Sequence, residues 1–459
     1  MYQIDFHKPL AIHFIGIGGI SMSGLAEVLL EEGFTISGSD AKKSPLTEKL
    51  EKEGAHIFYG QRASNIADGV QVVVYTAAIH PDNPEFARAK ERKLPMLTRA
   101  ELLGQIMRNY DTPIAVAGTH GKTTTTSMLS HILLKGDCDP TISVGGILPA
   151  IGGNIRVGQS ETFLTEACEY TNSFLSFFPK ISIILNMDAD HLDFFKDIDA
   201  IRHSFRKFAE LLPADGTLII NADTPKYEEI IRELPCHVLT YGLAHDADYT
   251  AKDITYDKYG HAAFTAVFRG EALGKCVLRV PGIHNVSNAL SAIAAGRLLS
   301  LSWEVIAGGL ESFTGTDRRF QYKGQVGGVT IIDDYAHHPT EIEATLHAAK
   351  NYPHKKLWCV FQPHTYTRTK ALLPEFAQAL SLADHVVLAD IYAARETDTL
   401  GISSADLAKK IAELGTPCKY FPTFDEIENF LLENCTQGDL LITMGAGDVV
   451  NIGEELLGR

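Results

Sequence analysis

Ile114-Ala115-Val116-Ala117-Gly118-Thr119-His120-Gly121-Lys122-Thr123-Thr124-Thr125-Thr126 decides how the rest of the chain is read. An apolar run enters a glycine turn, and Ser127-Met128-Leu129-Ser130-His131-Ile132-Leu133-Leu134 follows with helical periodicity. The expectation is a strand, a phosphate loop and a helix. Backbone N–H groups and the helix N-terminus would cradle a polyphosphate, Lys122 would reach its outer phosphates, and Thr123 would hold Mg2+. Gly118, Thr119, Gly121 and Thr124 complete the expected loop. The general pattern has glycine five residues before Gly121, where this chain has Val116, so only its chemical half is kept. A tight strand-to-helix turn with a solvated lysine is the alternative reading of this stretch alone.

Working outward, 459 residues are long for one core and suggest roughly two to four domains. A hydrophobic fraction of 45% with 21% charged residues is ordinary globular composition. The net charge of −16 argues against nucleic acid or an anionic membrane as partner, while leaving room for a phosphate held by local backbone dipoles. Seven scattered cysteines with no CxxC pair read as reduced thiols. No basic-then-apolar leader and no run of 18 apolar residues occur, so a cytoplasmic protein is expected.

Toward the N-terminus, Ala11-Ile12-His13-Phe14-Ile15 reads as a buried strand running into Gly16-Ile17-Gly18-Gly19-Ile20-Ser21 and then a helix. Asp40 closes the next strand where a dinucleotide fold carries its ribose-binding acid, although Ser21 stands at the third glycine position. A βαβ unit binding a nucleotide diphosphate follows, with a ligand-free glycine turn as the alternative. Val70 to Tyr75 forms a third strand, whose following loop runs from Thr76 to Pro84, and Asp111-Thr112-Pro113 reads as a linker.

Beyond the phosphate loop, Val144-Gly145-Gly146-Ile147 and Ile151-Gly152-Gly153-Asn154 read as glycine-rich connections. Two strands then end in Glu166-Ala167-Cys168-Glu169-Tyr170 and Asn186-Met187-Asp188-Ala189-Asp190-His191-Leu192-Asp193. Glu166 and His191 are the candidates to hold or position metal, since Mg2+ takes few carboxylates beside phosphates. Asp188, Asp190 and Asp193 are either part of that group or capping and solvated acids. His284, Asn285 and Asn288 either contact a nucleotide or belong to a helix start capped by Asn285.

In the last third, Gly315-Thr316-Asp317-Arg318-Arg319-Phe320 reads as a hinge before a new α/β pattern. Four strands end in turn at Asp333-Asp334-Tyr335-Ala336-His337-His338, Gln362-Pro363-His364-Thr365-Tyr366-Thr367-Arg368, Asp390 and Gly445-Ala446-Gly447-Asp448. Polar residues at successive strand ends suit a parallel sheet with a binding edge. His337 and His338 are not expected to form a zinc pair, because adjacent strand-end residues point apart and no third ligand is suitably spaced.

In chain order, Gly-Thr-His-Gly-Lys-Thr-Thr, Asn-x-x-x-Asp-His, His-Asn-x-x-Asn and Arg-Arg-Phe resemble the Mur ligases, which build the peptide stem of bacterial peptidoglycan. Gly-Ile-Gly-Gly, Asp-Asp-Tyr-Ala-His-His-Pro-Thr-Glu and Phe-Gln-Pro-His-Thr-Tyr-Thr-Arg-Thr resemble the alanine-adding branch, and the likeness covers essentially the whole chain. It implies an α/β fold in three domains: a Rossmann-like UDP-sugar domain at 1–110, a phosphate-loop ATPase-type domain at 111–315, and a Rossmann-like amino-acid domain at 316–459. It implies ATP and Mg2+ as cofactors, UDP-N-acetylmuramate and L-alanine as substrates, and a monomer or homodimer.

By the same resemblance, Gly16, Gly18, Gly19 and Asp40 bind the UDP part. Lys122 neutralises the γ-phosphate, while Thr123, Glu166 and His191 hold the metal. His284, Asn285, Asn288, Arg319 and Asp334 meet the nucleotide, and His337, His338, His364 and Arg368 line the amino-acid end. Two departures stand out: Cys168 and Tyr170 replace the usual Asp and Ser after Glu166, and Thr365 replaces an arginine after His364. A tripeptide-recycling sister ligase, an NAD-dependent oxidoreductase and a non-catalytic nucleotide-binding regulator are the competing readings.

Overall fold

A computed structural model describes residues 2–76, 78–394 and 396–459; Ala77, in the loop after the third expected strand, and Arg395 lie outside them. The chain divides into two compact units, each assembled from separated segments. The first comprises Met1–Gly118, Leu133–Asn186 and Arg202–Leu239, and the second Thr119–Ile132, Met187–Ile201 and Thr240–Arg459.

In the first unit, β1 (Ala11–Ile15), β2 (Thr35–Asp40), β3 (His56–Tyr59), β4 (Val72–Tyr75) and β5 (Met96–Thr98) form an all-parallel sheet in the order β3-β2-β1-β4-β5. Helices α1 (Ile20–Glu31), α2 (Pro45–Lys52), α3 (Pro84–Glu91) and α4 (Arg99–Met107) make its crossovers. Ile12, Phe14 and Ile15 are fully buried, as a strand covered on both faces requires. Ser44 and Thr98 cap α2 and α4 with reciprocal side-chain to backbone bonds, which stops both helices from fraying backward. Glu85, buried in the first turn of α3, accepts bonds from Ser39 Oγ at 2.6 Å and Asn65 Nδ2 at 2.5 Å, pinning the end of β2 beside Asp40.

A second sheet begins with β6 (Thr112–Ala117), β7 (Thr141–Leu148), β8 (Gly153–Arg156), β9 (Thr162–Ala167), β10 (Ile181–Ile184) and β11 (Thr217–Asn221). β6 lies between β9 and β10 and is parallel to both; β7 is parallel to β9 and antiparallel to β8. The expected linker at 111–113 is shorter than the sequence suggested, because Thr112 and Pro113 already pair with Thr162 and Phe163. The first glycine-rich stretch is strand rather than connection, whereas in the second Ile151 and Gly152 belong to the turn joining β7 to β8, which opens at Gly153. Gly145 sits inside β7, where a Cβ would come within 2.9 Å of the Glu166 carboxylate, so the pairing needs a residue without a side chain. Helix α5 (Lys122–Lys135) follows β6, α6 (Ile198–Ala209) and α7 (Tyr227–Ile231) come later, and β12 (His237–Tyr241) runs across the boundary at Thr240.

The second unit contains an antiparallel meander of β13 (Tyr249–Tyr256), β14 (His261–Phe268) and β15 (Glu271–Pro281), followed by α8 (Ile283–Leu298) and α9 (Trp303–Ser312). Gly309 lets α9 approach α5, since a Cβ there would stand 2.6 Å from Ile132 Cα. Its last sheet has the order β16-β17-β21-β18-β19-β20, from β16 (Gln321–Val326), β17 (Val329–Asp334), β18 (Leu357–Phe361), β19 (His385–Leu388), β20 (Cys418–Tyr420) and β21 (Leu440–Met444). Only β16 is antiparallel. Alternate residues feed two cores: Leu357, Cys359 and Phe361 enter one, Trp358 and Val360 the other. Helices α10 (Pro339–Lys350) and α11 (Tyr366–Ala371) start directly after strand ends.

Candidate active site

β6 is an apolar strand with Ile114, Ala115, Val116 and Ala117 fully buried, and α5 begins at Lys122. The turn between them needs glycine twice. Gly118 has φ +148° with its Cα against Leu185, and Gly121 has φ +84°. Gly121 O takes the first helical bond from Thr125 N at 2.9 Å, so the helix starts directly at the turn and leaves its first amides without intrahelical partners. Lys122 Nζ folds back to Thr119 O at 3.2 Å, and Thr119 Oγ1 accepts from Asp188 N at 2.9 Å. Thr123 is buried, while Thr124 is partly exposed.

Glu166 ends β9 opposite Val116 and accepts a 2.5 Å bond from Gly145 N, so its carboxylate is oriented by backbone. His191 lies in the turn after β10 with φ +52°, and its carbonyl accepts from Phe194 N and Phe195 N, both at 2.9 Å. In the first unit, Gly16 (φ +83°) and Ile17 donate to Ser39 O. The Asp40 carboxylate accepts from Gly18 N and Ala41 N, both at 2.8 Å. Gly19 caps α1. Asp40 thus braces the glycine loop.

Asp188 and Asp190 are neither helix caps nor solvated acids. Asp188 Oδ2 accepts from His120 Nε2 at 3.3 Å and from Thr340 Oγ1 at 2.5 Å, and these bonds hold its pKa well below the carboxylate range. Asp190 is buried, which alone would raise its pKa, but Arg368 Nε at 2.9 Å and His191 outweigh burial and keep it ionised. Asp193 is exposed. His120 was missed as a site residue, although it stands inside the quoted loop. Burial disfavours its charge, yet it donates from Nδ1 to Glu341 Oε1 at 3.1 Å and from Nε2 to Asp188, and its pKa is pushed up to about 9. Glu341, also missed, accepts from His337 N at 3.1 Å and from His120 Nδ1 at 3.1 Å, and the charged His120 keeps it ionised against burial. No local signal links the two residues, because they lie 221 residues apart in sequence.

On α10, His338 caps the helix through Nδ1 and donates from Nε2 to Ala189 O at 3.1 Å. His337 donates from Nδ1 to Tyr335 O at 3.0 Å, and burial lowers its pKa, so it is neutral with Nε2 as an acceptor. The sequence offered no third ligand beside these two histidines; the fold brings His120 and Asp188 to His338.

His364 is pushed down to about 4 by burial, with the charge of Arg368 adding to the effect, and accepts from Arg368 Nη1 at 2.9 Å. Thr365, in the position of the missing arginine, caps α11 and so fixes the helix that carries Arg368. Arg318 is fully engaged by Asp333, Gly445 O and Gly447 O, and both Arg318 and Arg319 lie over the Tyr335 ring, at 4.9 and 5.2 Å. Asp334 accepts from Phe320 N and Ala336 N, and burial raises its pKa to about 6. Asn285 does not cap α8: Gly282 holds that position, and Asn285 Nδ2 reaches back to Pro281 O at 2.8 Å while its Oδ1 accepts from Asn288. His284 is exposed at the same helix start. The second unit thus gathers His120, Lys122, Asp188, Asp190, His337, His338, Glu341, His364 and Arg368 through direct contacts, whereas Glu166 and the residues of the glycine loop belong to the first.

A phosphate loop on a parallel α/β sheet, with a histidine- and carboxylate-lined strand edge, defines a nucleotide-binding α/β enzyme architecture. Three domain families match in order: Mur ligase family, catalytic domain, over residues 11–111; Mur ligase middle domain over 116–296; and Mur ligase, glutamate ligase domain, over 318–447. The chain belongs to the Mur ligase family. It is 64% identical over 457 residues to the UDP-N-acetylmuramate–L-alanine ligase of Agathobacter rectalis, with all of both chains covered. Identity to the ligase of that name from Caldanaerobacter subterraneus is 53%, covering 99% of each chain. Among solved structures, the UDP-N-acetylmuramate–alanine ligase of Thermotoga maritima superposes with a TM-score of 0.79 at 29% identity, covering 98% of this chain and 99% of that one. A murein peptide ligase from Psychrobacter arcticus gives 0.69 at 26% identity, covering 98% of both.

Proposed function

We infer that this chain is an ATP-dependent ligase joining L-alanine to the lactyl carboxylate of UDP-N-acetylmuramate, in peptidoglycan precursor synthesis. Full-length identity of 64% to a relative of that activity carries the reading. A carboxylate is a poor electrophile, so it first takes the γ-phosphoryl group of ATP. The alanine amine attacks the resulting acyl phosphate, a tetrahedral intermediate forms, and phosphate leaves. Phosphoryl transfer needs positioning and charge stabilisation, which the loop amides, Lys122 and Arg319 supply.

The hard oxygens of Thr123 and Glu166 are the donor chemistry Mg2+ selects, and with His191 they are assigned to it; Mg2+ would neutralise phosphate charge there. His284, Asn285, Asn288 and Asp334 are assigned to the nucleotide, and Gly16, Gly18, Gly19 and Asp40 to the UDP part. At the amine end, Arg368 takes the alanine carboxylate beside His338 and His364. Neutral His337, with its Nε2 lone pair turned away from the Tyr335 carbonyl, accepts the amine proton. The proposed domains are 1–110 for the UDP-sugar, 111–315 for ATP and 316–459 for the amino acid. We assign the reaction to the cytoplasm, where both nucleotide substrates would be met, and to a monomer or homodimer without nucleic-acid or membrane partners; no described helix is long and apolar enough to cross a membrane.

The test is phosphate release from ATP with Mg2+ and UDP-N-acetylmuramate, offering L-alanine and the tripeptide separately and weighing products by mass spectrometry. An alanyl product that requires the amine is expected. Turnover with the tripeptide alone would make this a recycling ligase.

A further inference from the structure

We propose that His120, Asp188 and His338 form a binding site for a transition-metal dication, with Zn2+ the best fit, separate from the residues assigned to the nucleotide's Mg2+. One donor atom from each lies within 4.8 Å of the other two. Tetrahedral zinc with bonds of about 2.0–2.1 Å separates its ligand atoms by roughly 3.3 Å. His120 Nε2 and Asp188 Oδ2 already stand 3.3 Å apart, and His338 Nδ1 is 3.8 Å from the same oxygen. Closing the site takes about half an ångström between His338 Nδ1 and Asp188 Oδ2 and brings the two histidine donors, now within 4.8 Å, to the same spacing; it exchanges the 3.3 Å bond from Thr340 N for a bond to metal.

The outer partners are the stronger argument. A ligating histidine generally donates its other ring N–H to a carboxylate or a backbone carbonyl, which fixes ring and tautomer. Both arrangements are present: His120 Nδ1 donates to Glu341 Oε1, and His338 Nε2 donates to Ala189 O. Each histidine thus turns its remaining nitrogen toward Asp188. Asp188 Oδ1 is anchored by Ala189 N at 2.8 Å, and Thr340 Oγ1 steadies Oδ2 while leaving it a second lone pair. Two imidazoles and one carboxylate favour zinc over magnesium, which prefers oxygen ligands. Asp188 keeps 35% of its side chain exposed, so a metal has a route in and an open position for water. Since His120 belongs to the phosphate loop, occupancy would slow ligation.

The test uses full-length protein in saturating Mg2+, titrated with Zn2+ against a chromophoric chelator. A single Zn2+ per chain is expected, weakened at least tenfold in His338→Gln and in Asp188→Asn, and about 10- to 100-fold in Glu341→Gln through the outer partner. His191→Gln should keep the tight step. Thermal melting confirms that each variant is folded, and isosteric Asp188→Asn decides the matter if His338→Gln is not. Zinc held equally by wild type, His338→Gln and Asp188→Asn would place it on thiols and overturn the site; loss in His191→Gln instead would move it to the nucleotide's metal and also overturn it. Binding is read without turnover, so an inactive protein that holds Zn2+ would sink the ligase reading and leave this site standing.

Discussion

Replacing Asp190 by asparagine keeps the shape of the 188–191 turn and removes one charge, which isolates what that charge does. The carboxylate accepts from Arg368 Nε at 2.9 Å and from His191 N at 2.7 Å, both at Oδ1, and asparagine retains that acceptor. The side chains of Arg368 and Asp190 are only 11% and 8% exposed, so solvent does little to screen the pair. Hydrogen bonds to a charged group contribute about 1.5–3 kcal/mol against about 0.5–1.5 for neutral ones, so the substitution costs roughly 1–2 kcal/mol. If Arg368 holds the alanine carboxylate, this loss appears as its misplacement. The KM for L-alanine should then rise about 5- to 30-fold, while the KM for ATP changes less than about twofold. Steady-state phosphate release, varying one substrate at a time, measures both. A folded Asp190→Asn enzyme with an unchanged KM for L-alanine would refute the placement of Arg368.

Further expectations concern other parts of the site. Lys122→Ala should cut ATP-dependent product formation about a hundred- to a thousandfold with an unchanged melting temperature, and normal turnover would remove the phosphate-loop assignment. Gly145→Ala puts a Cβ 2.9 Å from Glu166 Oε2, so the KM for Mg2+ should rise several-fold in titrations at fixed ATP; an unchanged value would take Glu166 out of the metal role. His120 has a raised pKa in the folded protein, so its contribution to stability is complete below about 6.5 and is lost as pH rises through about 9. Melting temperature should therefore fall over that window in wild type and fall less in His120→Gln, as calorimetry across pH would show; parallel curves would count against a charged His120.

The strands and helices that carry chemistry were legible because each pairs an apolar run with a turn signal. Leu357 to Phe361 reads as a doubly buried strand from composition alone, and the glycines at 118 and 121 mark the turn from β6 into α5. The meander β13–β15 was not legible: its strands mix polar and apolar residues, and two pairings are broken by register shifts. Gly145 and Gly146 misled because glycine signals a turn unless a close neighbour demands it, and that neighbour, Glu166, is 21 residues away. The acids after β10 were visible as residue types. Their partners, Arg368 for Asp190 and Thr340 for Asp188, lie 178 and 152 residues on, where no spacing rule reaches.

The second unit takes in Thr119–Ile132 and Met187–Ile201 although most of it begins at Thr240, and this interleaving sets a timetable for synthesis. His120 leaves the ribosome 221 residues before Glu341. At about 5–20 residues per second, it waits roughly 10–45 s for its carboxylate. Throughout that interval the loop after Gly118 is tethered to β6 while its own unit is still unmade. Bacterial translation speed, and any chaperone that shields nascent segments, therefore act on the phosphate loop before any substrate can.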